Sequence, residues 1–340
     1  VAPHHLAAAE PFSEVPRRLK RALGRLLGAP PEDVILGNSA SYGLHLLANG
    51  IPWRQGDEVL VIRGDFPADI LPWLGLERRG VRVRQIETGE DGLRAEDLER
   101  HLGSATKVFC ATWVDSFTGR ALDLEAVGAA CRDHGVLFVV NAAQALGARP
   151  LDLSRAPVDA MTGVGFKWLC GPYGTGFCWM TPSLRASLEY NQAYWLALQT
   201  ADDLGKEGPS PPRREDLGAR AYDVFGTANF FNFVPWTAAV EYLLEQGIER
   251  VAAYDEALVD RLVEGMLSAG YRILSPREGG SRSTLVVVSH RDPRRNERVY
   301  AALAEHDVYV ALRRGNLRLS PHLYNTPEDV DRALEVMARL

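Results

Sequence analysis

Between Gly163 and Gly176 the chain reads Gly-Val-Gly-Phe-Lys-Trp-Leu-Cys-Gly-Pro-Tyr-Gly-Thr-Gly, a stretch whose one charged residue is Lys167. An ammonium with apolar neighbours on both sides and no carboxylate in its own segment is poorly solvated. Its pKa falls, and free amine becomes available for attack on a carbonyl. The competing reading is a surface lysine snorkelling beside a Gly-rich turn, and the stretch alone leaves the two in balance. A second feature is Gly37-Asn38-Ser39-Ala40-Ser41 ahead of a helical run with Leu44, Leu47 and Ala48. Small residues at a helix N-terminus leave backbone N–H groups open to an anion, with Ser39 or Ser41 as further donors. Plain N-capping by serine is the alternative.

These residues need elements to position them. Apolar runs at 34–36, 58–62, 82–86, 108–112, 136–140, 160–162 and 177–180 read as strands. Helical spacing marks 13–27, a segment opened by Asp65-Phe66-Pro67, then 94–102 and 124–134. Strand and helix alternating in this way imply an α/β fold with a mostly parallel sheet and helices on both faces. Ligands of such sheets bind beyond the carboxyl ends of the strands. Asp65-Phe66, Asp115-Ser116, Asn141-Ala142-Ala143-Gln144 and Lys167 all fall at those ends. The tract 190–220 has no clean period and reads as an exposed loop, and 222–234 is dense in aromatics and amides, as a subunit interface would be. A helix at 236–246 follows. Helices at 251–269, 297–305 and 328–340, with strands near 271–274, 284–289, 308–312 and 317–319, make a compact α+β unit. The expected division is a large domain at 1–245 and a small C-terminal domain at 246–340.

Bulk properties narrow the function classes. The 340 residues are 46% hydrophobic and carry 38 basic against 44 acidic side chains, a formal charge of −6. The basic residues are scattered, which argues against a nucleic-acid partner. No apolar run reaches the roughly 18–20 residues of a membrane span, and the first ten residues lack the pattern of a signal peptide. A cytoplasmic protein is expected. Cys110, Cys131, Cys170 and Cys178 form no CxxC pair, mostly sit in apolar segments and read as buried structural thiols. No metal site is expected. The chain begins on valine, which implies that at least the initiator methionine is missing.

Three blocks in order, Asn141-Ala142-Ala143-Gln144-Ala145-Leu146-Gly147, then 165–176 around Lys167, then Arg318-Leu319-Ser320-Pro321-His322-Leu323-Tyr324-Asn325-Thr326, resemble the pyridoxal-phosphate (PLP) enzymes of fold type I, specifically the class V aminotransferase superfamily. Its members include cysteine desulfurases, isopenicillin-N-epimerase-like proteins and kynureninases. The resemblance implies a seven-stranded, mostly parallel sheet with a smaller C-terminal α+β domain, pyridoxal 5′-phosphate as cofactor, and Lys167 as the residue that carries it as an imine and moves the Cα proton. It places Ser39, Ala40 and Ser41 in a phosphate cup. Phe66 becomes an aromatic platform under the pyridine, where the family often has histidine; a phenyl ring stacks but is neither acid nor base. Gln144 is matched to the cofactor's 3′ oxygen, Asp115 to the ring edge, Arg318 to a substrate α-carboxylate, and Asn229 to the substrate side of the site. Thr227 resembles a threonine lent to the partner's phosphate, which makes a homodimer obligatory. The family's N-terminal segment is expected to be short or missing, and with it the substrate contacts from that arm.

Two departures shape the expected function. The stretch 308–318, where desulfurases carry a cysteine before the carboxylate-binding arginine, reads Val-Tyr-Val-Ala-Leu-Arg-Arg-Gly-Asn-Leu-Arg and has no thiol. Asn141 stands where the family has an aspartate against the pyridine nitrogen, and a neutral amide does not hold that nitrogen protonated as a carboxylate does. Attenuated chemistry is therefore expected, either because the cofactor is tuned toward a neutral pyridine or because a substitution traps an intermediate. The implied activity is a C–S (β-elimination) lyase or an aminotransferase acting on an amino acid. The alternatives are an epimerase or other Cα-carbanion chemistry, and a cofactor-binding protein with little or no catalysis.

Overall fold

The computed structural model describes residues 9–89, 91–189, 214–227 and 229–340. Most of the tract expected to be a loop, 190–213 with its proline cluster, lies outside the described residues.

Seven strands form one sheet: β1 (Val34–Gly37), β2 (Glu58–Ile62), β3 (Arg82–Ile86), β4 (Thr106–Thr112), β5 (Leu137–Asn141), β6 (Ala160–Val164) and β7 (Gly176–Met180), in the order β1-β7-β6-β5-β4-β2-β3. The pairs from β3 through to β6 are parallel, and β7 runs antiparallel between β6 and β1. Strands β1, β5, β6 and β7 are buried almost throughout, as a sheet covered on both faces requires. Each face has its own apolar core. One gathers Leu19, Leu23 and Leu27 of helix α1 (Ala9–Leu27) with Phe109, Phe138, Phe177 and Trp236. The other packs Leu44 and Leu47 of α2 (Ala40–Gly50) against Ile35, Val59, Val139 and Cys178. Shorter helices, α3 (Leu71–Leu74), α4 (Ala95–Glu99), α5 (Leu124–Asp133) and α6 (Pro182–Ser187), complete the layers.

A long helix pair, α7 (Phe230–Gln246) and α8 (Ile248–Ser268), leads to a second, four-stranded sheet of β8 (Arg272–Ile273), β9 (Val286–Ser289), β10 (Ala311–Arg313) and β11 (Asn316–Leu319), all antiparallel, order β10-β11-β9-β8. With α8, α9 (Asn296–Glu305) and α10 (Pro327–Ala338), it encloses a core of Leu258, Leu262, Val288, Leu303 and Leu317. Helix α7 starts six residues earlier than the expected 236. Pro235 suggests a first-turn position, but the proline sits inside the helix, because burial of Phe233 and Trp236 outweighs the one lost backbone bond. Among the described residues, no helix is long and apolar enough to cross a membrane.

The segment leading into α7 is fastened to the sheet by a buried ion pair. Lys20 Nζ of α1 lies 2.8 Å from Asp223 Oδ2, while Asp223 Oδ1 accepts from the Leu36 backbone N–H of β1 at 2.8 Å. Both side chains are buried. Removing one partner of such a pair leaves a charge without its counterion in a place water does not reach. Lys20→Met is expected to destabilise the protein by about 3 kcal/mol or more in urea titration, whereas an unchanged midpoint would show the pair to be incidental.

Candidate active site

The carboxyl ends of five strands bring the sequence-selected residues to one rim. Beyond β1, Ser39 caps α2, its Oγ accepting the Tyr42 N–H at 3.3 Å, so Ala40 and Ser41 form the first turn with its open N–H groups. Serine therefore does cap this helix, which leaves the anion-binding face of the turn unaltered. Gly37 is paired in register with Gly176. A Cβ on Gly176 would stand 2.6 Å from Ser39 Cα, so only glycine lets β7 lie against this cup.

Beyond β6 comes the lysine. Lys167 is half-buried, with Nζ 5.6 Å from the centroid of Phe66, whose ring is 38% exposed on the turn after β2. Burial, followed by the Arg318 guanidinium, pushes the Lys167 pKa down to about 8, against a smaller pull from Asp69. The lowered pKa read from the apolar stretch is thus present, but part of its physical cause comes from the far end of the chain. The Gln144 carboxamide after β5 turns its oxygen to the cations: 3.3 Å from Lys167 Nζ, 3.3 Å from Arg318 Nη1 and 3.2 Å from Ser116 Oγ. The opposite rotamer would aim an NH₂ at two cationic donors. Arg318 on β11 also donates to the Ser116 carbonyl at 2.9 Å, and its Nε is buried with no hydrogen-bond partner among the described residues. A guanidinium with a buried, unsatisfied N–H is stabilised by an anion nearby.

Asp115 stands on the loop after β4. Its Oδ1 accepts from the Phe117 and Thr118 N–H groups and from Thr118 Oγ1, which shapes its own loop. Thr227 and Asn229 stand at the turn into α7, Asn229 as its N-cap residue. Around them Phe225, Phe231 and Val234 are 64, 88 and 50% exposed.

Asn141, the last residue of β5, is buried, and its amide is held at both ends. Oδ1 accepts from the Ala143 N–H at 3.0 Å and Nδ2 donates to Asp69 Oδ2 at 3.0 Å. The amide expected in place of an aspartate is thus bonded to a carboxyl from the turn after β2. Asp69 closes the short 3-10 turn Pro67–Asp69 directly after Phe66 and has no exposure at all. Burial, then the neighbouring Asp65, pushes its pKa well above the usual carboxylate range. In the sequence its only signal is an acidic residue interrupting an apolar helix start.

Two further residues were not selected from the sequence. His322 is buried with Nε2 3.0 Å from the Trp168 carbonyl and Nδ1 2.7 Å from Asp255 Oδ2. Both ring nitrogens face acceptors, which requires the doubly protonated form. Burial opposes that charge and also raises the Asp255 carboxyl, but the hydrogen bond that His322 donates to Asp255, helped by the nearby Cys170, holds the His322 pKa at about 9. The second unit thereby grips the lysine loop one residue from Lys167. Cys170 corrects the reading of the thiols: Cys110, Cys131 and Cys178 are buried, but Cys170 is exposed, at φ +50° in the turn closed by its N–H to the Lys167 carbonyl. Among the described residues no group of three or more His, Cys, Asp or Glu side chains is placed to hold a metal ion.

Residues 4–333 match the aminotransferase class-V family. A probable cysteine desulfurase of Methanothermobacter thermautotrophicus is 26% identical over 92% of this chain and 81% of its own length. The isopenicillin N epimerase of Streptomyces clavuligerus is 27% identical over 99% of this chain and 88% of its own. Among solved structures, the cystine C-S lyase C-DES in complex with its product cysteine persulfide superposes with a TM-score of 0.87 at 23% identity, covering 98% of this chain and 88% of that one. The fold is that of a PLP-dependent enzyme of fold type I. The chain belongs to the class V aminotransferases, a family of pyridoxal-phosphate lyases and transferases. The residues present fit that cofactor: an amine of lowered pKa, an open helix terminus backed by Gly176, an exposed aromatic face and a guanidinium with an unpartnered donor.

His322 has a folded pKa of about 9 against 6.5 for an ordinary histidine. The pair's contribution to stability is therefore complete below pH 6.5 and lost as the pH rises through 9. The stability gap between the unsubstituted protein and His322→Gln, measured by denaturant titration without cofactor, is expected to shrink over that window by on the order of 3 kcal/mol. A gap that stays constant with pH would show the imidazole to be neutral.

Proposed function

We propose that this chain acts on a sulfur-bearing amino acid by β-elimination at its C–S bond, with amine transfer as the reading to test beside it. The observation that supports a reaction at Cα is the meeting of Lys167 Nζ and Arg318 Nη1 on one carboxamide oxygen, each 3.3 Å from it. An α-amino acid has a carboxylate and a Cα–H two bonds from each other. A guanidinium and a basic amine bridged by a single oxygen are spaced to engage both. Pyridoxal phosphate, when bound, supplies the aldehyde that captures amines and the ring that draws electrons from Cα. The protein's own part is then to position and to move protons. Arg318 holds the substrate carboxylate with its guanidinium and fixes which bond at Cα stands over the ring. Lys167 takes the Cα proton, as a base whose pKa of about 8 leaves an appreciable neutral fraction at physiological pH. Gln144 neutralises neither cation but bridges them, and Phe66 supports the ring from one face. Ser39, Ala40 and Ser41 receive the phosphate.

Two observations favour elimination with release of the sulfur product over relay through a protein thiol. The β10–β11 hairpin turns on Arg314 and Gly315 alone, both at positive φ, and carries no cysteine. Its tip is pinned, with Arg314 donating to the Gly64 carbonyl and lying 3.7 Å from the Phe117 ring centroid. A two-residue turn so anchored has no slack to swing a nucleophile into the site. Epimerisation needs a second base on the face opposite Lys167, and Phe66 cannot serve as one. The exposed aromatics around Thr227 support a homodimer in which Thr227 donates to the partner's cofactor phosphate. A cytoplasmic location agrees with the reduced thiols this reading assumes.

Borohydride reduction of the PLP-loaded protein is expected to fix the cofactor's mass on the peptide containing Lys167. A screen of cystine, cysteine and other amino acids should then give pyruvate and ammonia from a sulfur substrate. Lys167→Ala should lower that turnover by about 10²- to 10⁴-fold. Cofactor mass on a different lysine, or turnover confined to amine transfer, would overturn the assignment. In parallel, Phe231→Glu should shift sedimentation toward monomer and weaken cofactor retention; an unchanged dimer would place the interface elsewhere.

A further inference from the structure

We propose that Asp69 is the counter-charge to the ring nitrogen of the bound cofactor and acts through the amide of Asn141. The inference rests on the cofactor site proposed above. Asn141 is the residue expected to face that nitrogen, and the structure determines which way its amide is wired. Reversing the amide would turn Nδ2 toward the Ala143 N–H, donor against donor, in place of a hydrogen bond. Nδ2 is thus committed to Asp69. A carboxylate accepting from Nδ2 shifts electron density through the amide onto Oδ1, which strengthens it as an acceptor. Oδ1 uses one lone pair on Ala143 and keeps a second. An acceptor reinforced in this way selects a protonated pyridine nitrogen, which donates, over an unprotonated one.

Asp69 otherwise lacks a structural reason to be where it is. It is fully buried, and its Oδ1 has no hydrogen-bond partner among the described residues. The charged groups around it are mostly of its own sign: Asp65 and Asp115 disfavour its ionisation, and Lys167 alone favours it. A carboxylate in such a place costs stability unless a cation comes to it. A pyridinium against Asn141 is that cation, and by linkage each charge stabilises the other. Asp69 also closes the turn that begins at Phe66, so the charge and the aromatic platform move as one unit. Asp69 is a positioning residue here, since it meets the cofactor only through Asn141.

The test uses protein loaded with pyridoxal phosphate carrying ¹⁵N in the ring, read by NMR. The expected signal in the unsubstituted protein is that of a protonated ring nitrogen. In Asp69→Asn it should move to the unprotonated position while borohydride still locks the cofactor to Lys167. Exchange of a substrate Cα proton with solvent should slow by about 10- to 100-fold. The exchanged pair, Asp69→Asn with Asn141→Asp, should restore the protonated signal. An unprotonated nitrogen in the unsubstituted protein, or no change in Asp69→Asn, overturns the inference and leaves the Lys167 assignment standing. Failure of Lys167 to take up the cofactor overturns both. If Asp69→Asn does not fold, infrared difference spectra of the unsubstituted protein decide: loading should convert a buried neutral carboxyl to carboxylate, and a spectrum with no such loss overturns the proposal.

Discussion

Two cations share one neutral oxygen at the centre of this molecule, and most of the surrounding architecture serves to hold them there. Lys167 and Arg318 come from different sheets, and each raises the cost of charge on the other. In water the pair would separate. Here the Gln144 carbonyl, the Ser116 carbonyl and the closed ends of β4 and β5 hold the groups close enough that the lysine, the more easily deprotonated of the two, gives way. The arginine cannot. The asymmetry decides which group gives up its charge: the guanidinium stays a cation and the lysine is the more available as a free amine.

Keeping that arrangement requires the two sheets to be locked to each other. His322 does this by linking Asp255 on α8 to the Trp168 carbonyl in the lysine loop, inside a region too dry to tolerate an unpaired imidazolium. The Arg314 tip of the β10–β11 hairpin adds a second point of attachment at Gly64. The small unit is thus fastened on both sides of the site, beside Lys167 and beside the turn that leads to Phe66. Displacement of the four-stranded sheet would change the separation of Arg318 from Lys167, and with it the basicity of the lysine.

Much of the fold was legible because parallel strands buried on both faces are written as short apolar runs, and helices as periodic ones. Strand β2 and the start of α5 lie where periodicity places them, and β1, β4 and β7 differ by one or two residues. The larger error, at α7, arose where a proline argues locally for a helix start and distant aromatic burial overrules it. In the site, Lys167, Gln144, Ser39 and Phe66 announced themselves by chemical type beside glycines or strand ends. Cys170 was misread because its apolar neighbours suggest burial, whereas the tight turn from Lys167 to Gly171 everts the thiol.

The amino-acid sequence by itself determined the order of strands and helices, which follows from residue type and short-range spacing, and, through its resemblance to known sequences, the family and the candidate for the reactive amine. Only the tertiary structure decided what surrounds that amine. Arg318 lowers its pKa from 151 positions away in the chain. His322 holds its loop by a bond that spans 154 positions. Asn141 donates to a buried carboxyl, Asp69, 72 positions earlier. Such couplings depend on distances in a dry interior, where a few ångströms set the strength of an interaction between charges, and no local pattern in the chain encodes them.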